Sequence, residues 1–248
     1  MGVKVVLILA AVSFCSLLWA QDATEVVRRV DERMRGESSR AEMTMRIIRP
    51  DWTRELSVRA YSLSQDFSMI YILSPPRDRG TSFLKRYNEV WQWVPSIQRV
   101  VRIPPSMMTQ SWMGSDFTND DLVQEASIVD DYEHSFLPDT TVEQMEAWRV
   151  EMVPKPEAAV VWDRVEMWVT KDDYNQRRAL YYDEDGVLVN DLTLDSVREL
   201  GGREIPTRWE MVPVDEQGQS TVMEYDDLEF DIDIDEGFFS QQNMRTIR

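Results

Sequence analysis

The residues best placed to do chemistry in this chain are its carboxylates, 45 of them against 27 lysines and arginines, and one histidine. Adjacent acids such as Asp120-Asp121 and Asp130-Asp131 have the composition of a general acid and base, but that role needs one member desolvated. At this density such pairs arise by chance. Asp231, Asp233 and Asp235, followed by Gly237, look like the opening of a calcium loop, where alternate oxygens converge on one cation. Glu236 stands where the loop's glycine belongs and Gln242 where its bidentate glutamate belongs, so the match fails. Phe230, Ile232 and Ile234 alternate with those aspartates, which predicts a last strand with a solvated acidic edge. His134 lacks the second histidine that a metal site or nucleophile–base pair usually requires. No Gly-x-Ser-x-Gly, phosphate-cradling loop or dinucleotide fingerprint occurs, and nine glycines leave room for few. This pattern predicts binding rather than turnover, with no catalytic residue, no metal and no cofactor.

Binding chemistry is concentrated between Gly80 and Leu122. Trp91, Trp93 and Trp112 fall there, with Met107, Met108 and Met113. Rigid aromatic walls beside adaptable thioethers suit apolar material of variable shape. Lys85, Arg86, Arg99 and Arg102 lie in the same stretch and Arg79 just before it, although the net charge is -18. A tryptophan-rich β core with solvated arginines is the plainer reading of the same residues.

The first twenty residues bear on location. Lys4 precedes an uncharged run from Val5 to Trp19, and Ala20 stands at its exit. A basic start, an apolar core of about 15 residues and a small exit residue predict a secretory signal peptide over 1–20, too short to span a bilayer comfortably. The expected mature domain is then 21–248, in the periplasm. Phe14 occupies the place where a lipoprotein signal wants a small residue, so no lipid anchor at Cys15 is expected. Cys15 is the sole cysteine, and its loss with the leader would exclude disulfides and thiolate chemistry. So acidic a chain is a poor partner for nucleic acid and is expected to be a monomer.

Elements to position these residues follow from periodicity. Asp22 and Glu25 have the spacing of a capping box, Val26, Val27, Val30 and Met34 share a helical face, and Gly36 fits a stop. After Ser39 the period becomes two: Ala41, Met43, Met45 and Ile47; Leu56, Val58 and Ala60; Trp148, Val150 and Met152; Val165, Met167 and Val169. Turn clusters separate about ten or eleven antiparallel strands. So many strands must curl over something to protect their edges. The N-terminal helix and a segment from Pro104 to about Glu125, with Thr118 or Asn119 capping a short helix, are the available covers.

Ser74-Pro-Pro-Arg-Asp-Arg-Gly80-Thr, Val90-Trp-Gln-Trp-Val-Pro95, Val101-Arg-Ile103 and above all Trp112-Met-Gly-Ser-Asp-Phe117-Thr-Asn-Asp-Asp-Leu122 resemble the outer-membrane lipoprotein-sorting protein family. That family is a branch of the periplasmic lipoprotein-carrier (LolA/LolB-like) superfamily. The resemblance implies a mostly β protein, an unclosed barrel with a helical lid over an apolar cavity for acyl chains. It also implies transient membrane contact and, as partner, an efflux-type lipid transporter of the inner membrane. On this basis Met43, Met45, Trp91, Trp93, Met107, Met108, Trp112, Met113, Phe117 and Leu122 are expected to line cavity and lid. Arg79, Lys85, Arg99 and Arg102 are candidates for a headgroup or an acidic partner, and the segment around Gly114 is expected to move to admit ligand, since few polar contacts would need to break. The alternative is a non-catalytic scaffold of an envelope complex with the same fold and a filled core.

Overall fold

The computed structural model describes residues 22–122, 127–158 and 160–246. The proposed leader, Cys15 and Glu125 lie outside the described residues. Helix α1, Ala23–Arg35, is followed by strands β1 (Ser38–Arg49), β2 (Trp52–Leu63), β3 (Phe67–Ser74), β4 (Ser82–Arg86), β5 (Glu89–Val94) and β6 (Arg99–Ile103). A short helix α2 (Asn119–Leu122) lies in the crossing segment. Strands β7 (Tyr132–Val142), β8 (Met145–Pro154), β9 (Arg164–Thr170), β10 (Gln176–Tyr182), β11 (Leu188–Leu200), β12 (Arg203–Pro213) and β13 (Ser220–Phe230) complete the chain.

All thirteen strands form one sheet in the order β6-β5-β4-β3-β2-β1-β13-β12-β11-β10-β9-β8-β7. Every pairing is antiparallel. The protein is an unclosed barrel with a helical cover, as the strand periodicity leads one to expect, with more strands than turn counting separates. Pairing of β1 with β13 brings both ends of the chain to the middle of the sheet. The two free edges, β6 and β7, are consecutive in sequence, so the connection from Pro104 onward must pass between them.

Helix α1 covers one end of the inner face. Asp22 caps it by accepting from the Thr24 amide at 3.1 Å. The expected capping box is not completed, because Glu25 instead pairs with Arg28 and Arg29 on the same helix. Val26, Val27 and Val30 are buried, and Arg203 donates to the last carbonyls at Glu32 and Arg33, both at 2.9 Å, where the helix dipole favours a cation. Gly36 has φ +67°, and a Cβ there would meet the Phe230 ring at 2.9 Å.

The expected strand through Asp235 does not form. β13 stops at Phe230, Asp231 takes φ +54°, and the chain turns onto the outer face of β2–β5. Phe239 and Met244 are fully buried there against Phe67, Met69, Tyr71 and Leu84. Tyr71 Oη donates to the Asn243 carbonyl at 3.0 Å, and burial pushes its pKa up to about 12. Alternation of Phe230, Ile232 and Ile234 therefore marks a tail that packs, not a strand. Phe239→Ala should cost about 3–5 kcal/mol by leaving a cavity under this tail, measured by urea unfolding; a loss below about 1 kcal/mol would show that the tail is not part of the cooperative core.

Candidate functional site

Between the inner face of the sheet, α1 and the crossing segment lie two adjoining compartments of about 170 and 140 Å³. Each is close to the ~150 Å³ of an engineered apolar cavity that binds benzene. Met43, Met45, Val58, Ile70, Met223 and Tyr225 line the first, with Trp112 above them. Phe117, Tyr132, Met152, Trp162, Met167 and Tyr181 line the second. Asp121, Leu122 and Trp209 belong to both and form the partition.

The crossing segment is built to sit over this space. Thr118 is the cap of α2: its amide donates to Asp121 Oδ2 at 2.7 Å, and its hydroxyl accepts from the Asp121 amide at 3.1 Å. An isolated bridge between Ser111 and Thr118 closes the loop that holds Met113 and Gly114, both at positive φ. Trp112 is 1 % exposed, with its ring 5.3 Å from that of Phe83 on the inner face of β4.

The expectation that few polar contacts hold the segment around Gly114 is not met: several fasten it to the sheet. Asp116 pairs with Arg49 at 3.0 Å, the two side chains being only 8 % and 13 % exposed. Thr221 Oγ1, on β13, donates to Asp116 Oδ2 at 2.6 Å and accepts from its amide at 3.0 Å. Arg49 also reaches the Gly114 carbonyl at 2.9 Å, and Arg54 the Met113 carbonyl at 3.0 Å. The Met-Gly-Ser-Asp-Phe element is thus a clamp onto β1, β2 and β13.

The structure scatters the other predicted residues. Met43, Met45, Trp112, Phe117 and Leu122 line the compartments. Met108 is buried in the same core and Met113 packs against it, but neither lines the space. Met107 faces outward. Trp91 and Trp93 lie on the opposite face of β5 from the buried Val90, against the C-terminal tail, with Arg245 over the Trp93 ring at 5.3 Å. The pleat placed them together, but a cover that sequence periodicity did not reveal claimed that face.

The expected cations also separate. Lys85 is on the inner face and donates to the Gln65 carbonyl at 2.7 Å. Arg79 lies exposed in a turn, Arg99 is exposed on the edge strand, and Arg102 pairs with Glu89 at 3.1 Å. None of these three arginines lines either compartment. Other arginines form ion-pair ladders on the outer face, such as Arg149 and Arg164 on Glu166, both at 2.5 Å. Trp209, Trp162, Tyr132 and Tyr181 are site residues that sequence reasoning missed. For Trp209 the signal was available: Ile205, Thr207, Trp209 and Met211 alternate with Glu204, Pro206, Arg208 and Glu210.

Asp121 Oδ1 also accepts from Trp162 Nε1 at 3.1 Å. Burial raises its pKa, against the lowering effect of the hydrogen bonds from Thr118 and Trp162. Burial likewise raises the Tyr132 and Tyr181 pKa values, helped by nearby carboxylates, so both phenols keep their protons. His134 is lowered chiefly by burial, and its Nε2 meets the Ile128 carbonyl at 2.7 Å, tying the returning segment to β7. No group of three or more His, Cys, Asp or Glu placed to hold a metal occurs among the described residues.

Comparison with solved structures identifies the class. The fold matches a DUF1329 family protein from Desulfovibrio piger with TM-score 0.81 and 25 % identity over 90 % of this chain and 97 % of that one. A structure from Vibrio parahaemolyticus described as an outer membrane lipoprotein-sorting protein domain gives 0.81 and 22 %, over 90 % and 98 %. A LolA superfamily protein from Nitrosomonas europaea gives 0.79 and 21 %, over 90 % and 99 %. A family model described as "Uncharacterized protein" matches residues 64–246. The chain belongs to this family, and its fold is LolA-like. No curated protein matches the sequence.

Two outcomes test the site. Removing one partner of the Arg49–Asp116 pair should cost about 3–5 kcal/mol, and the double variant Arg49→Ala/Asp116→Ala should cost clearly less than the sum; additivity in urea unfolding would mean that the clamp is not a unit. Because burial raises the Asp121 pKa, the folded protein holds a proton there that the unfolded chain has already released. Asp121 therefore lowers stability as pH rises above the ordinary aspartate range. The urea midpoint of Asp121→Asn should gain on that of the unsubstituted protein between about pH 4 and 7, and a constant difference would contradict the burial.

Proposed function

We propose that this protein is a carrier that shelters acyl chains of lipids or lipoproteins between the membranes of a cell envelope, without covalent chemistry. The observation that carries this reading is the pair of apolar compartments sharing Leu122 and Trp209 beneath the crossing segment. Each methylene leaving a membrane exposes apolar surface worth about 0.8 kcal/mol, and a carrier must offer comparable burial. Apolar walls of methionine and aromatic rings do this while adapting to chain shape. At rest the two compartments accept only a short stretch of hydrocarbon. A longer chain enters by displacing Leu122 and Trp209, neither of which is fully buried, rather than by releasing the Asp116 clamp.

The mature unit is residues 21–248, exported to the periplasm by the leader over 1–20. No described helix is long and apolar enough to cross a membrane. Contact with a membrane, or with an efflux-type lipid transporter of the inner membrane, falls to the free edge. There β6 and its flanks expose Ile97, Val101 and Met107 beside Arg99 and Arg102. The lipoprotein-sorting description of the Vibrio parahaemolyticus neighbour agrees with a cargo of this kind.

Native mass spectrometry of gently purified protein, followed by organic extraction, should find bound lipid, and fatty acyl compounds should displace an environment-sensitive apolar dye. Leu122→Asp, which puts a charge on the partition at a half-buried site, should lower dye affinity about tenfold or more. Protein that is lipid-free and takes up no dye would support a scaffold with a filled core and end the carrier reading.

A further inference from the structure

The first compartment is not apolar throughout. Ser39 pairs in register with Ser62, Ser62 with Ser68, and Ser68 with Lys85, so one row of polar side chains crosses β1, β2, β3 and β4. The three serines line the compartment at the end where α1 terminates, and Asp31 and Arg35 of that helix line it too. Ser39 Oγ and Ser62 Oγ are 2.7 Å apart, so one hydroxyl donates to the other and the second still has a proton to give. Ser68 Oγ is buried with no hydrogen-bond partner among the described residues, and so is Trp112 Nε1, which belongs to a side chain 1 % exposed on the same compartment.

A buried donor without a partner keeps the full cost of its desolvation, so two of them on one cavity are an unmet demand for an acceptor. Indole N–H can only donate. A carboxylate is a poor answer. Arg35 is already engaged by Asp31 at 2.7 Å, and Lys85 donates to the Gln65 carbonyl at 2.7 Å. An ammonium group brings donors where an acceptor is wanted.

We infer that the serine row and Trp112 receive the uncharged acceptor end of an acyl ligand, an ester or amide carbonyl, while its hydrocarbon runs along Met43, Met45 and Ile70 towards the partition. This rests on the carrier reading and adds the class of head it selects. The shared chemistry is the acyl ester of a glycerolipid or of a lipoprotein's diacylglyceryl group.

The test is dye displacement on the full mature protein with methyl palmitate, palmitate and palmitylamine, one chain with three heads. The ester should compete about tenfold better than either charged analogue. Ser68→Ala, a small change that leaves the core intact, should weaken the ester about 2- to 10-fold and leave palmitylamine unchanged. Equal competition by all three, or a preference for palmitate, would overturn the inference while the carrier reading stands. An ester preference untouched by Ser68→Ala would overturn the assignment to the serine row. Failure of all three to compete would overturn the carrier reading as well. Dipalmitoylglycerol and a diacylated lipopeptide, compared as competitors, then separate the two ester sources, and competition by neither counts against the inference.

Discussion

A sheet that curls without closing leaves two free edges, and here those edges, β6 and β7, follow one another in the chain. The connection between them has no choice but to cross the opening. It would be a loose strap if only apolar contacts held it. Instead Asp116 is drawn onto Arg49 and Thr221, which stand on the paired central strands β1 and β13. A nearly buried ion pair is weak evidence for net stability, but its desolvation makes any other position for Asp116 expensive. It therefore fixes where the strap lies, and with it the positions of Trp112, Phe117 and Leu122.

That constraint divides the inner face into parts with different properties. Near Asp116 the cover is held by an ion pair and hydrogen bonds, whereas at the partition Leu122 and Trp209 are partly buried apolar side chains packed on the core. The same division explains why residues of one sequence motif end in different roles: within six residues, Trp112 lines the space, Gly114 offers a carbonyl to Arg49, and Phe117 faces the other compartment.

The outer face shows a second division of labour. Under the C-terminal tail it is a small apolar core, fastened by Tyr71 and Arg86 to tail carbonyls at 3.0 and 3.1 Å. Over the second half of the sheet it is instead a lattice of arginines and carboxylates with arginines stacked on Trp168 and Tyr182. An acidic chain thus pairs several of its arginines with carboxylates of neighbouring strands.

Periodicity by itself determined the helix over Val26–Met34, the wet and dry faces of β1, β2 and β8, the inward face of β9, and the break at Pro104, because these depend on spacing along one element; the outer face of β9, with Glu166 and Trp168, is buried as well. The family-like Met-Gly-Ser-Asp-Phe stretch marked the cover for the same reason: its members are neighbours in sequence. What only the tertiary structure decided were the choices between faces. Trp91 and Trp93 share a side of β5 whichever way it turns, and only the tail from Asp231 onward makes that side the outer one. Arg49 and Asp116 lie 67 residues apart, so no local pattern joins them. The serine row is equally invisible in one dimension, since Ser39, Ser62, Ser68 and Lys85 become neighbours only through strand register, which long-range pairing sets.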